Sequence, residues 1–140
     1  MKNQNLILVA LLLFSLNFYS QSDEKSKIEE TINTYFEGWK TGDTLKLGKA
    51  MHSTCKLKNL KDDKVVVFDR KTYLSWFKPK EKSNENEAKI LSIDFFDKIG
   101  AAKCQLKTPK YLFIDYFNLM KEGDTWYIVD KISIRKEMTK

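Results

Sequence analysis

Three side chains in this sequence have the chemistry to move protons: Asp115, Asp130 and His52. The two aspartates lie in apolar stretches, 111–121 and 125–135, joined by Glu122-Gly123-Asp124. Such runs around a glycine-bearing turn predict a β-hairpin. If Lys121 pairs with Trp126, then Phe113, Asp115, Phe117 and Leu119 share a face with Trp126, Ile128, Asp130, Ile132 and Ile134. Asp115 then faces Ile132, and Asp130 is its diagonal neighbour, within reach. Two carboxylates on an apolar face repel, and burial raises at least one pKa. A pair of that kind can divide the roles of acid and base. The bland reading is that each aspartate pairs with a backbone group, a tyrosine or a lysine, or that Asp130 sits at a wet rim. A slip of one residue in register would put the two on opposite faces.

His52 is the only histidine. Its ordinary pKa suits a general base, although its place between a helix and a strand also suits a capping or hydrogen-bonding role. Cys55 and Cys104 have no CxxC spacing and no clustered histidines, so no metal site is expected. They are a disulfide or two buried thiols. There is no phosphate loop, zinc motif or nucleophile elbow, and no cofactor is implied.

These groups need a frame. Ile28, Ile32, Phe36 and Trp39 recur at helical spacing, with Tyr35 beside them. Ser26 and Glu29 read as a capping box, Gly42 as the stop, and Asp43 as the cap of a short second helix. Two short strands follow around 55–60 and 65–68, then a short helix over 70–77. The charged stretch 80–87 reads as a loop, and 88–135 reads as strands. Helices first and then a run of antiparallel strands predicts an α+β domain with helices on one face of a curved sheet. Leu112, Ile114, Tyr116, Met120 and Val129 would make a second apolar patch on the far face. A patch of that kind marks an interface, here a homodimer. The aromatics Tyr35, Phe36, Trp39, Phe113, Phe117 and Trp126 are candidates for a pocket wall or for ordinary core.

The N-terminus carries a separate signal. Lys2 precedes an uncharged apolar run, 6–16, and a polar stretch ending in small residues, 17–22. That is the layout of a cleavable export signal over residues 1–20, followed by one domain over 21–140. The run is about half of the roughly 20 residues that span a bilayer, so no membrane attachment is expected after cleavage. The formal net charge is +6, with lysines scattered and not blocked, which argues against a nucleic-acid partner.

Tyr35-Phe36-Glu37-Gly38-Trp39, Gly42-Asp43, Met51-His52, 115–119 (DYFNL) and 126–132 (WYIVDKI) occur in an order that resembles the "putative lumazine-binding" branch of the nuclear transport factor 2-like superfamily. That superfamily also includes SnoaL-like and ketosteroid-isomerase-like proteins. The resemblance implies a cone-shaped, cystatin-like fold: a strongly bent antiparallel sheet wraps an N-terminal helix and encloses a pocket, often in a dimer. At Asp130 the family pattern often has Asn, so this chain adds a carboxylate. Three readings follow. The first is an exported, periplasmic or secreted module binding a small hydrophobic or aromatic ligand through Tyr35, Trp39, Phe113, Asp115, Phe117, Trp126 and Asp130. The second is a lyase or isomerase using Asp115, Asp130 and His52. The third is a dimeric interaction protein with a filled cavity.

The leader reading has a direct test. The exported protein is expected to begin near Gln21 or Ser22, by intact mass of material from outside the cytosol. A full-length mass confined to the cytosol would rule out the leader.

Overall fold

The computed structural model describes the backbone of residues 2–138 and the side chains of residues 21–138. The leader read over residues 1–20 lies outside the described side chains. Helix α1 is Lys2–Thr41. Its inward stripe is Ile28, Ile32, Tyr35 and Phe36, all buried. Ser26 does not cap it: the Ser26 hydroxyl donates to the Ser22 carbonyl, 3.0 Å away within the same helix. The helix ends at Gly42, whose φ is +68°. A side chain there would strike the Lys78 carbonyl oxygen at 1.9 Å, so this turn accepts only glycine. Asp43 then caps α2 (Thr44–Ala50), its carboxylate accepting from the amides of Leu45 and Lys46.

The sheet follows. Strand β1 (Met51–Lys61) turns through Asp62 and Asp63 into β2 (Lys64–Asp69). Both turn residues have positive φ, as a two-residue hairpin with right-handed twist requires. Asp69 caps α3 (Arg70–Ser75). Strands β3 (Glu87–Phe96), β4 (Ile99–Lys107), β5 (Tyr111–Glu122) and β6 (Thr125–Glu137) complete one six-stranded sheet in the order β2-β1-β6-β5-β4-β3. The curved sheet is open and lies against the helices, the α+β arrangement expected. One pairing departs from an all-antiparallel run: β1 lies parallel to β6, because the excursion through β2, α3 and three further strands brings the chain back to the far side of β1.

The β5–β6 register corrects the sequence reading at its centre. Lys121 pairs with Trp126 and Leu119 with Ile128, as expected, but Asn118 pairs with Asp130. Val129 is an extra residue, a β-bulge, and everything beyond it is shifted by one. Phe113, Asp115 and Phe117 therefore face Arg135, Ser133 and Lys131 instead of Ile134, Ile132 and Asp130. The register of β1 against β6 shifts nearby, between Met51 and Lys56. The displaced Ile132 and Ile134 join Tyr116 and Met120 on the outer face, all about half exposed.

The core holds Ile28, Ile32, Tyr35, Leu47, Met51, Leu106, Phe117, Leu119, Trp126 and Ile128. Cys55 and Cys104 are free and buried, so no disulfide ties the sheet, and burial first of all pushes both thiols up to about 12. Among the described residues no helix is long and apolar enough to cross a membrane.

The early part of α1 is held to the sheet by Glu24. Its carboxylate accepts from Lys121 Nζ at 2.7 Å and from the indole nitrogen of Trp126 at 2.8 Å. The Lys121 and Trp126 hydrogen bonds lower its pKa from the usual 4.5 to about 2. A depressed carboxyl pKa stabilises the fold fully above about pH 4.5 and ceases to do so as pH falls through about 2. Glu24→Gln is expected to cost on the order of 1–2 kcal/mol near neutrality. In melts of the two proteins the difference should shrink steadily from about pH 5 to about pH 2. A difference independent of pH would remove charge from this anchor.

Candidate functional site

Between the sheet, α1 and α3 lies a cavity of about 570 Å³, within the size range that holds small organic ligands. Aromatic side chains from two helices and two strands line it. Trp39 comes from the end of α1, Tyr73, Trp76 and Phe77 from α3 and the turn after it, and Phe68 and Phe113 from strands. They pack edge to face: Phe68 on Trp76 at 4.9 Å, Tyr73 on Phe77 at 5.0 Å, Trp39 on Phe113 at 6.2 Å. α3 is short, but Asp69 caps it. The Arg70 guanidinium reaches the Gly48 carbonyl at 2.7 Å and ties it to α2.

At the inner end of this apolar wall sit three polar side chains. Asp115 is 1 % exposed and Lys131 is 6 % exposed. Lys131 Nζ lies 2.9 Å from Asp115 Oδ2. Ser133 Oγ donates to Asp115 Oδ1 at 2.5 Å. That ammonium is the counter-charge of Oδ2. The ammonium also sits over the rings of Tyr73 and Tyr35, at 5.3 and 5.9 Å, a cation–π arrangement. Those two phenols meet at 2.5 Å. Burial alone would lower the Lys131 pKa, but the charge of Asp115 and the neighbouring Tyr73 more than offset it, and the net shift is upward. Burial raises both tyrosines. The floor is thus a carboxylate paired with an ammonium among apolar surfaces.

The expected site residues divide accordingly. Trp39, Phe113 and Asp115 line this cavity. Phe117 and Tyr35 lie behind it, packed on each other at 5.0 Å in the core. Trp126 is buried toward the opposite end, beside Glu24 and Phe95. Asp130 is not a partner of Asp115. The bulge turns it to the outer face, where it forms an ion pair with Lys58. His52 is also elsewhere. Its Nδ1 meets Thr54 Oγ1 at 2.7 Å, its Nε2 lies 3.3 Å from Glu122, and its ring packs on Tyr127. The three groups read as one proton-moving set therefore occupy three places. Sequence reasoning missed Lys131, Ser133 and Arg135 because uninterrupted alternation put them outside. It missed Tyr73 as a site residue because α3 shows its inward side only in the fold. Among the described residues no group of His, Cys, Asp and Glu could hold a metal ion.

Residues 23–132 match the family described as "Putative lumazine-binding". No curated protein matches the chain. Among solved structures, a nuclear transport factor 2-like protein from Shewanella baltica superposes with a TM-score of 0.75 at 26% identity, over 82% of this chain and 95% of that one. One from Silicibacter pomeroyi gives 0.75 at 14% identity, over 83% and 98%. The association domain of Caenorhabditis elegans CaMKII gives 0.59 at 10% identity, over 81% and 97%.

The Asp115–Lys131 pair makes a double-mutant prediction. Asp115→Asn leaves a buried ammonium without its counter-charge and is expected to destabilise by about 3–5 kcal/mol. The double change Asp115→Leu with Lys131→Met should recover most of that loss, because the desolvation cost of both ions goes with them. Asp130→Asn, at the surface, should change stability by less than about 1 kcal/mol. Urea unfolding reads all three. A double variant no more stable than the single one would show that charge pairing is not what Asp115 contributes.

Proposed function

The chain belongs to the "Putative lumazine-binding" family of the nuclear transport factor 2-like superfamily, and from that premise we propose that it is an exported small-molecule-binding domain. Its ligand occupies the cavity floored by Asp115, Lys131 and Ser133. The observation that carries this reading is the floor itself. A buried ion pair is a weak source of stability, because desolvation consumes most of its attraction. This one lines a roomy cavity walled by aromatic rings. A cavity whose only task was to be filled by side chains would be closed with apolar residues. The wall favours a flat or apolar body, and the floor fixes its orientation.

Export is part of the proposal and rests on the charged, apolar and small-residue segments of residues 1–20. The family match begins just beyond them, at residue 23. The proposal also includes a homodimer through the outer sheet face. Phe96, Ile99, Tyr116, Met120, Ile132 and Ile134 all stand at least 46% exposed there. An apolar surface of that kind is best accounted for by a second copy covering it.

One experiment reads both parts. Native mass spectrometry of protein recovered from its own compartment should give a dimer carrying an extra small mass on each chain. Trp76→Ala and Phe113→Ala should keep the dimer and lower ligand occupancy about tenfold, as expected for loss of an aromatic contact of the order of 1 kcal/mol. A bare chain mass under gentle conditions would overturn ligand binding. A monomer at tens of micromolar, by rough expectation for standard interfaces, would overturn the dimer.

A further inference from the structure

The cavity is polarised from end to end. At its inner end Asp115 and Lys131 balance each other. Oδ1 of Asp115 takes the Ser133 hydroxyl and Oδ2 the Lys131 ammonium, and that ammonium has three N–H bonds to place. A hydroxyl is the smallest group that can accept from the ammonium and still donate to a neighbouring oxygen. At the outer end the charges do not balance. Lys58 is offset by Asp130, but Lys61 and Arg135 have no carboxylate partner among the described residues. Arg135 stands opposite Phe113 on the cavity-facing side of the sheet, its guanidinium held 4.5 Å over the ring of Tyr111. Among the described residues Asp115 is the only carboxylate lining the cavity, and it is buried. The mouth is thus cationic.

We infer that the cavity selects a small aromatic acid with a hydroxyl at one end and an anionic group at the other, the hydroxyl seated on Asp115 and Lys131 and the anion held by Arg135 and Lys61. The inference rests on the ligand-binding reading above and adds the ligand's polarity to it. Between the two ends the wall is Trp39, Phe68, Trp76 and Phe113, which suits one or two rings. Arg135 is suited to a carboxylate because its fork of N–H donors matches two oxygens at once. It is pre-placed by its stacking, so little side-chain freedom is lost on binding.

The test is calorimetric titration of the full folded protein with three probes of one shape: para-hydroxyphenylpropionate, phenylpropionate and tyramine. The hydroxy acid is expected to bind at least about tenfold more tightly than either of the others, since each lacks one charge-assisted hydrogen bond. Arg135→Gln, at an exposed position, should leave the melting temperature unchanged and abolish the preference for the acid over tyramine. Either lesser probe binding as tightly as the hydroxy acid would overturn the polarity while leaving the pocket a binding site. Failure of all three probes on protein that retains a native ligand would also overturn the polarity alone. Failure of all three on protein that retains no ligand would overturn both readings.

Discussion

Val129 is one residue more than the β5 strand can pair, and the interior of the protein is arranged around that surplus. The bulge reverses the facing of every later residue in β6. Lys131 and Ser133 turn inward to meet Asp115, and Asp130, Ile132 and Ile134 turn outward. Without the shift, Asp115 would be buried against Ile132 with no cation near it. A carboxylate in that position would be driven toward its neutral form. With the shift it gains an ammonium at 2.9 Å and a hydroxyl at 2.5 Å. The ammonium is compensated in turn by the faces of Tyr35 and Tyr73. Tyr73 belongs to α3, so the same ion also registers that helix against the sheet.

A buried pair of this kind is weak evidence for stability, because desolvation consumes most of the attraction. The rest of the core would be nearly as stable around two apolar residues. The charged floor is therefore best understood through the cavity it closes. The aromatic wall can accept many shapes, since its edge-to-face packing offers surface without direction. In the proposed binding mode direction comes from the paired charges at one end and the cations at the other.

The two sheet faces are linked by the same bulge. Turning Lys131 and Ser133 in makes the inner face polar enough to orient a guest. Turning Ile132 and Ile134 out makes the outer face more apolar than simple alternation would have it. The polarity of the inner face and the apolarity of the outer one are thus set by one backbone irregularity. The ends of the molecule are held by other means: Gly42 allows α1 to stop against Lys78, and Glu24 joins the early part of α1 to Lys121 and Trp126.

Local patterns determined much of this protein. Helical spacing of Ile28, Ile32 and Phe36 marked the buried stripe of α1. Gly42 and Asp43 marked the break and the new cap, and paired acidic or glycine turns marked the hairpins. The ordered motifs marked the family that residues 23–132 match. Asp115 was legible as an inward carboxylate because the surplus residue lies in β6, so strand parity along β5 is unbroken. Asp130, Lys131 and Ser133 were not, because parity carried across an unrecognised bulge inverts every side chain after it. Nothing in Ile128-Val129-Asp130-Lys131 announces the surplus residue; Val129 is as good a strand former as its neighbours. The bulge exists because β6 must pair with β5 on one side and with the bent β1 on the other. That is a demand of the assembled sheet, and only the tertiary structure decides which residue absorbs it.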